Sequence, residues 1–306
     1  MPDPDKNKTI DAVLNGYLDY WDETIEKWLT GKSSNPLHGC ENDPFLPTVR
    51  RFVQPNLMPE PYWGDPANCS IVIANLNPGG GEDPAETSPK TRCKKAHRDA
   101  IKWFMGEVKT SGYWNVAKRA PVFLSADELS KLDATSDKSG WARFSCYNGW
   151  KWWYERGGRR QWAEHFCRDL APEATRGLKP FAMELCGWHS ANWNRRASNA
   201  VKKGREPFDR FVLAPLFEAV RQSKTKLGIC LGSDWNIIFK SRRSRLHNRF
   251  EGPIVNAPDQ ARRYSVFDIG ENALILVSWK QAFRFEVPVP ENWPVETDLI
   301  QTLRES

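Results

Sequence analysis

No stretch of the 306 residues is apolar over the ~20 positions that a membrane-crossing helix needs, so a membrane protein of the helical kind is excluded. The opening Met-Pro-Asp-Pro-Asp-Lys lacks the apolar core of a signal peptide, and a cytoplasmic protein is expected. No internal repeat or low-complexity tract suggests an array. The seven cysteines, Cys40, Cys69, Cys93, Cys146, Cys167, Cys186 and Cys230, are scattered and odd in number, which argues for reduced thiols over a disulfide framework. Also missing is a carboxylate cluster with an adjacent Lys, so a metal-dependent nuclease is disfavoured. Cys186 and His189, with His165 and Cys167 upstream, have spacings that a zinc site uses, but the H-x-E and P-C-x-x-C pattern of zinc deaminases is absent. No metal and no cofactor are expected. Gly31-Lys32-Ser33 ends like a phosphate loop, yet Glu26 stands where that motif needs Gly and a helix precedes it, so it is set aside.

What is present is aromatic and basic. Fifteen Trp and a 12% aromatic fraction exclude general disorder. The formal net charge of +6 suits a polyanionic partner and equally a basic enzyme of another kind.

Apolar positions Ile10, Val13, Leu14, Tyr17, Leu18, Trp21, Ile25, Trp28 and Leu29 recur at helical spacing and predict an amphipathic helix over Thr9 to Leu29. Residues 35–68 are punctuated by proline and read as wrapping loops. Helices are predicted at Ala96 to Val108, Gln161 to Leu170 and Phe208 to Ser223, with an irregular aromatic stretch from Ser111 to Gly158. Within that stretch, Trp150-Lys151-Trp152-Trp153-Tyr154 suits either a core edge or a platform for stacked bases. Four short apolar strands are predicted: one that starts at Ile71 and stops at Asn77, Pro180 to Leu185, Lys226 to Leu231 and Ala273 to Val277. Helix-length segments separate them, which predicts a mainly parallel four-stranded α/β sheet with covering helices. No linker is strong enough to divide the chain, so one domain over 1–306 is expected: an N-terminal helix and loops at 1–58, a core at 59–287 and a tail at 288–306. A monomer is expected.

The first of these strands ends abruptly in Asn77-Pro78-Gly79-Gly80-Gly81, a loop whose backbone is free to press against a ligand. In open α/β sheets the carboxyl ends of strands carry the site. Read locally, Asn77 also fits a plain Asn-Pro turn. The approach Pro59-Glu60-Pro61-Tyr62-Trp63-Gly64-Asp65-Pro66, the strand and the Asn-Pro-Gly together resemble the first motif of the uracil-DNA glycosylase superfamily, in the branch of mismatch-specific thymine and uracil glycosylases.

That resemblance implies a three-layer glycosylase-like α/β sandwich with an added N-terminal helix and loop insertions. It also implies a monofunctional DNA glycosylase that acts on DNA with a flipped nucleotide. Asn77 falls on the water-positioning residue, and an Asn acts there by orientation more than as a base. Asn75, Gly79 and Gly80 join the base-binding set, the glycines through backbone N–H groups. Glu184 falls where relatives carry an amide that reads the base edge, and Ser278, Trp279, Lys280 and Gln281 fall on the late DNA-gripping loop. The clustered cysteines of the iron-sulfur branches are absent.

Two departures carry information. Three glycines stand where uracil-specific relatives place a bulky residue, which implies a larger pocket. Glu184 is an acceptor when ionised and suits the exocyclic amine of cytosine; when protonated it would assist departure of that poorer leaving group. A 5-substituted cytosine, hydroxymethylated or glucosylated as in phage DNA, is therefore the expected base. The plainer reading of Glu184 is a buried carboxylate paired with Arg195 or Arg196. His189 is a candidate donor to the leaving base and Trp188 a candidate stacking partner. Trp279 reads either as a wedge for the gap in the duplex or as core packing. Lys202, Lys203, Arg242, Arg243 and Arg245 are candidate backbone contacts. Other readings are a non-catalytic nucleic-acid-binding protein on the same fold, a uracil or thymine mismatch repair glycosylase, and a small-molecule hydrolase or transferase using the glycine loop.

Overall fold

A computed structural model describes residues 12–21, 23–24, 46–53, 59, 61–63, 66, 69–76, 180–188, 193–203, 205–242, 246–253, 263–278 and 305. Its described residues divide into two compact units, one of residues up to 65 with Glu184 to Pro215, the other of residues 66–76, up to Met183, and from Leu216 onward.

In the first unit, helix α1 (12–21) buries Leu14, Tyr17, Leu18 and Trp21, the i, i+3, i+4, i+7 set of one face. Val13, placed on that face by periodicity, is 37% exposed, because one position of offset turns a side chain ~100° around the helix. Tyr20 packs its ring on Trp21 edge-on at 5.1 Å and on Phe211 at 4.7 Å. Helix α2 (Leu46–Val49) and the two-residue strand β1 (Tyr62–Trp63) follow. Then come α3 (Arg195–Lys203), α4 (Arg205–Phe208) and a π-helical turn (Asp209–Leu213). The helix predicted over 208–223 thus begins earlier, passes through that π turn and ends as α5 (Ala214–Gln222). Helix α3 is not among the predicted helices; it is short, and the apolar residues on its inward side are the small Ala197 and Val201.

The second unit is built on a sheet whose strands are β2 (Ile71–Asn75), β3 (Pro180–Glu184, its last residue lying in the first unit), β4 (Leu227–Leu231), β5 (His247–Pro253), β6 (Arg263–Asp268) and β7 (Leu274–Ser278). Their order is β3-β2-β4-β7-β6-β5. All four predicted strands are found, as β2, β3, β4 and β7. The sheet nevertheless corrects the expectation of four mainly parallel strands. β2 pairs parallel with β4 and β4 with β7, whereas β6 pairs antiparallel with both β7 and β5, giving a mixed sheet. β5 and β6 lack an apolar run, because an edge hairpin needs only alternate residues inward and β5 reads HNRFEGP.

β4 is buried at all five positions and forms the core of this unit. Gly228 lets α5 approach it: a Cβ there would lie 2.6 Å from Val220 Cγ2. Helix α6 (Ser233–Lys240) follows β4 directly, and Phe239 stacks edge-on against Phe267 of β6 at 5.2 Å and meets Phe217 of α5 at 6.1 Å. Thr225 donates its hydroxyl to Ser70 O at 2.8 Å and its amide to the same oxygen at 3.1 Å, pinning the start of β2 to the start of β4. Ion pairs Lys240 with Glu251, and Arg249 with Asp268 at 2.7 Å, hold the β5 edge. Among the described residues no helix is long and apolar enough to cross a membrane. The predicted helices over Ala96 to Val108 and Gln161 to Leu170, the irregular stretch with Trp150 to Tyr154, and the tail at 288–304 lie outside the described residues.

Candidate functional site

Parallel pairing sets three strand ends side by side in the second unit. Ala74 pairs with Cys230 and Leu231 with Ser278, so Asn75 and Ser278 flank Leu231 on one carboxyl edge. Asn75 is half-buried, a departure from the fully buried run before it. Across that edge the chain leaves β4 through Gly232, whose φ of 114° is unfavourable for any residue with a Cβ; such an atom would sit 3.0 Å from Leu76 Cδ1. The turn feeds α6 immediately, with Asp234 in its first turn. Trp235 and Asn236, next along α6, are buried to 0% and 5% exposure, and Trp235 Nε1 and Asn236 Oδ1 have no hydrogen-bond partner among the described residues. A buried donor or acceptor left in this way costs about 1–3 kcal/mol. Neither stands out in the sequence, since an amide and an indole after a Gly-Ser-Asp turn look like ordinary helix residues until burial is known. Cys230, one residue before the end of β4, is fully enclosed, and burial pushes its thiol well above the ordinary range, which disfavours the thiolate form.

The other cluster belongs to the first unit. Glu184 is 5% exposed and donates its backbone N–H to Pro61 O at 2.8 Å. Tyr17 donates its hydroxyl to that same oxygen at 3.1 Å, and its ring meets Tyr62 at 5.8 Å. Burial first, and then the charge of Glu184, push the Tyr17 phenol well above its ordinary value. Gly187 keeps this segment close to its neighbours: a Cβ there would meet Pro61 Cβ at 2.7 Å and Trp21 Cη2 at 2.8 Å. Trp188 is completely buried. Arg195 and Arg196 are exposed on the helix that follows.

Of the residues singled out from sequence, Glu184 and Trp188 are both buried, and Asn75 and Ser278 share one sheet edge. Lys203 is exposed on α3, and Lys202 lies on the same helix. Arg242 is buried to 9% exposure and donates Nη1 to Ser241 Oγ at 2.7 Å, so a phosphate would reach it only after a shift of that segment. Asn77, Gly79, Gly80, His189, Arg243, Arg245, Trp279, Lys280 and Gln281 lie outside the described residues. Among the described residues, no group of three or more His, Cys, Asp or Glu side chains could hold a metal ion. In comparisons with known proteins, no family model, no curated protein and no solved structure matches this chain.

Proposed function

We propose that this protein is a DNA glycosylase of the uracil-DNA glycosylase kind, with the three-layer arrangement of that superfamily, and that it excises a 5-substituted cytosine. The observation that carries the reading is Glu184: an acidic residue, 5% exposed, at the end of a strand, whose amide shares the Pro61 carbonyl with the Tyr17 hydroxyl. A carboxyl suits the amino edge of cytosine as an acceptor. Asn77-Pro78-Gly79 directly after β2 and its last described residue, Leu76, supplies the rest of the chemistry.

In this reading a water held by Asn77 bonds through its oxygen to C1′ of the deoxyribose as the C1′–N bond breaks. The bonding electron pair leaves with the base, and the water loses a proton to solvent, so that an abasic sugar and a free base result. The sugar passes through oxocarbenium character, and placement of the water is most of what Asn77 contributes. A protonated Glu184 neutralises the base as it departs, a contribution of about 10²–10⁴ in rate for a placed general acid.

The test is base release from duplex oligonucleotides carrying uracil, cytosine, 5-hydroxymethylcytosine or glucosylated 5-hydroxymethylcytosine, by wild type, Glu184→Gln and Asn77→Ala. Release of a cytosine derivative faster than uracil, lost in both variants, supports the proposal; faster release of uracil than of every cytosine derivative overturns it. Burial of Trp188 and Glu184 also favours a second reading, a nucleic-acid-binding protein without catalysis, because a flipped base would have to displace neighbours to reach them. Binding of all four oligonucleotides with no release from any would establish that reading.

A further inference from the structure

Helix α3 carries four basic residues in nine and no acidic one. Ala197, Ser198 and Val201 are buried, while Arg195, Arg196, Asn199 and Lys203 are exposed. Arg196, Asn199 and Lys203 recur at i, i+3 and i+7, so they line one side of the helix over ~10.5 Å at ~1.5 Å per residue. The helix is firmly placed: Asn194 Oδ1 accepts the amides of Arg196 at 2.9 Å and Ala197 at 3.3 Å, and Trp193 Nε1 donates to Ser198 Oγ at 2.9 Å.

Its charges run against its own stability. The amino end of a helix is its positive pole, where acidic residues are favoured and each cation costs about 0.3–1 kcal/mol. Arg195 and Arg196 occupy that first turn, and neither they nor Lys203 has an ion-pair partner among the described residues. A merely solvated helix gains nothing from this pattern, whereas an anion laid along it would make both terms favourable. The exposed residues of this face are basic or polar, and Val13 of α1 is the one large exposed hydrophobic among the described residues, so α3 offers nothing to insert into a bilayer. Arginine forks match phosphate oxygens in pairs.

We propose that the Arg195, Arg196 and Lys203 face of α3 is a docking surface for the phosphate backbone of DNA. It rests on the reading that DNA is the substrate, though not on base excision. The experiment measures binding of the full chain to a labelled, unmodified 20-base-pair duplex between 50 and 200 mM salt. Wild type is compared with Arg195→Gln/Arg196→Gln/Lys203→Gln and with Arg50→Gln/Lys224→Gln, two exposed basic positions elsewhere. The expected result is a log–log salt slope shallower by roughly 2–3 in the triple variant, about 0.9 for each phosphate that the protein no longer neutralises, with the other variant close to wild type and melting temperature unchanged or raised. A triple variant with wild-type slope and affinity overturns the proposal, as does tighter wild-type binding to phosphatidylserine vesicles than to DNA. A shallower slope in a protein that releases no base from any oligonucleotide supports this surface and sinks only the glycosylase reading; intact base release with an unchanged slope does the reverse.

Discussion

Tyr17 and Glu184 are joined through a single carbonyl: Pro61 O accepts the Tyr17 hydroxyl at 3.1 Å and the Glu184 amide at 2.8 Å. The helix at the start of the chain thereby fixes the end of a strand 167 positions later in sequence (184 less 17), at the residue on which the proposed chemistry depends. Hydroxyl and amide share one acceptor, so loss of either leaves the other bond in place and the segment anchored less tightly.

Tyr17→Phe keeps the ring and deletes the shared hydrogen bond, and the expected loss is about 1 kcal/mol. The dependence on pH separates this residue from others. Its phenol is raised in the folded protein above the unfolded value near 10.0, chiefly by burial, so the folded state holds that proton longer than the unfolded chain. Its contribution is therefore fully present below pH ~10 and is lost as pH rises from there through the folded value. Thermal unfolding followed from pH 8 to 11 should fall more steeply for wild type than for Tyr17→Phe. Parallel curves would show that Tyr17 does not titrate in this way.

Gly232→Ala tests the turn at the carboxyl edge. A φ of 114° with a Cβ 3.0 Å from Leu76 Cδ1 should cost on the order of 1–3 kcal/mol, a fall in melting temperature of a few degrees. An unchanged melting temperature would mean that the turn relaxes without strain.

Asn236→Leu removes the buried oxygen that has no partner among the described residues and replaces it with an apolar group of similar size. If Asn236 serves a ligand, the variant should be more stable by about 1–3 kcal/mol and should bind or release its substrate less well. Greater stability with wild-type function would make the residue a structural cost with no task.

Much of the fold is legible in the sequence. β2, β4 and β7 each announce themselves by a short apolar run because a strand buried on both faces has no polar side, and α1 by a 3.6-residue period. The same logic explains the misses. β5 and β6 are paired antiparallel near the edge of the sheet, where hydrogen bonds to a neighbour, not a run of apolar residues, define the strand. For the site, sequence singles out Glu184 by its place at a strand end, and Asn77 by the motif around it.

By itself the sequence determined the four strands that carry apolar runs, most of the inward face of α1, and that acids and amides stand at strand ends, since each follows from local spacing and composition. Only the tertiary structure decided that Tyr17, Pro61 and Glu184 meet, that Asn75 and Ser278 share an edge, that Arg242 is enclosed while Lys203 is not, and that Trp235 and Asn236 are shut away with polar atoms unmet among the described residues. Those are statements about distance between residues far apart in the chain, and they depend on strand order and on burial, neither of which any local window of sequence contains.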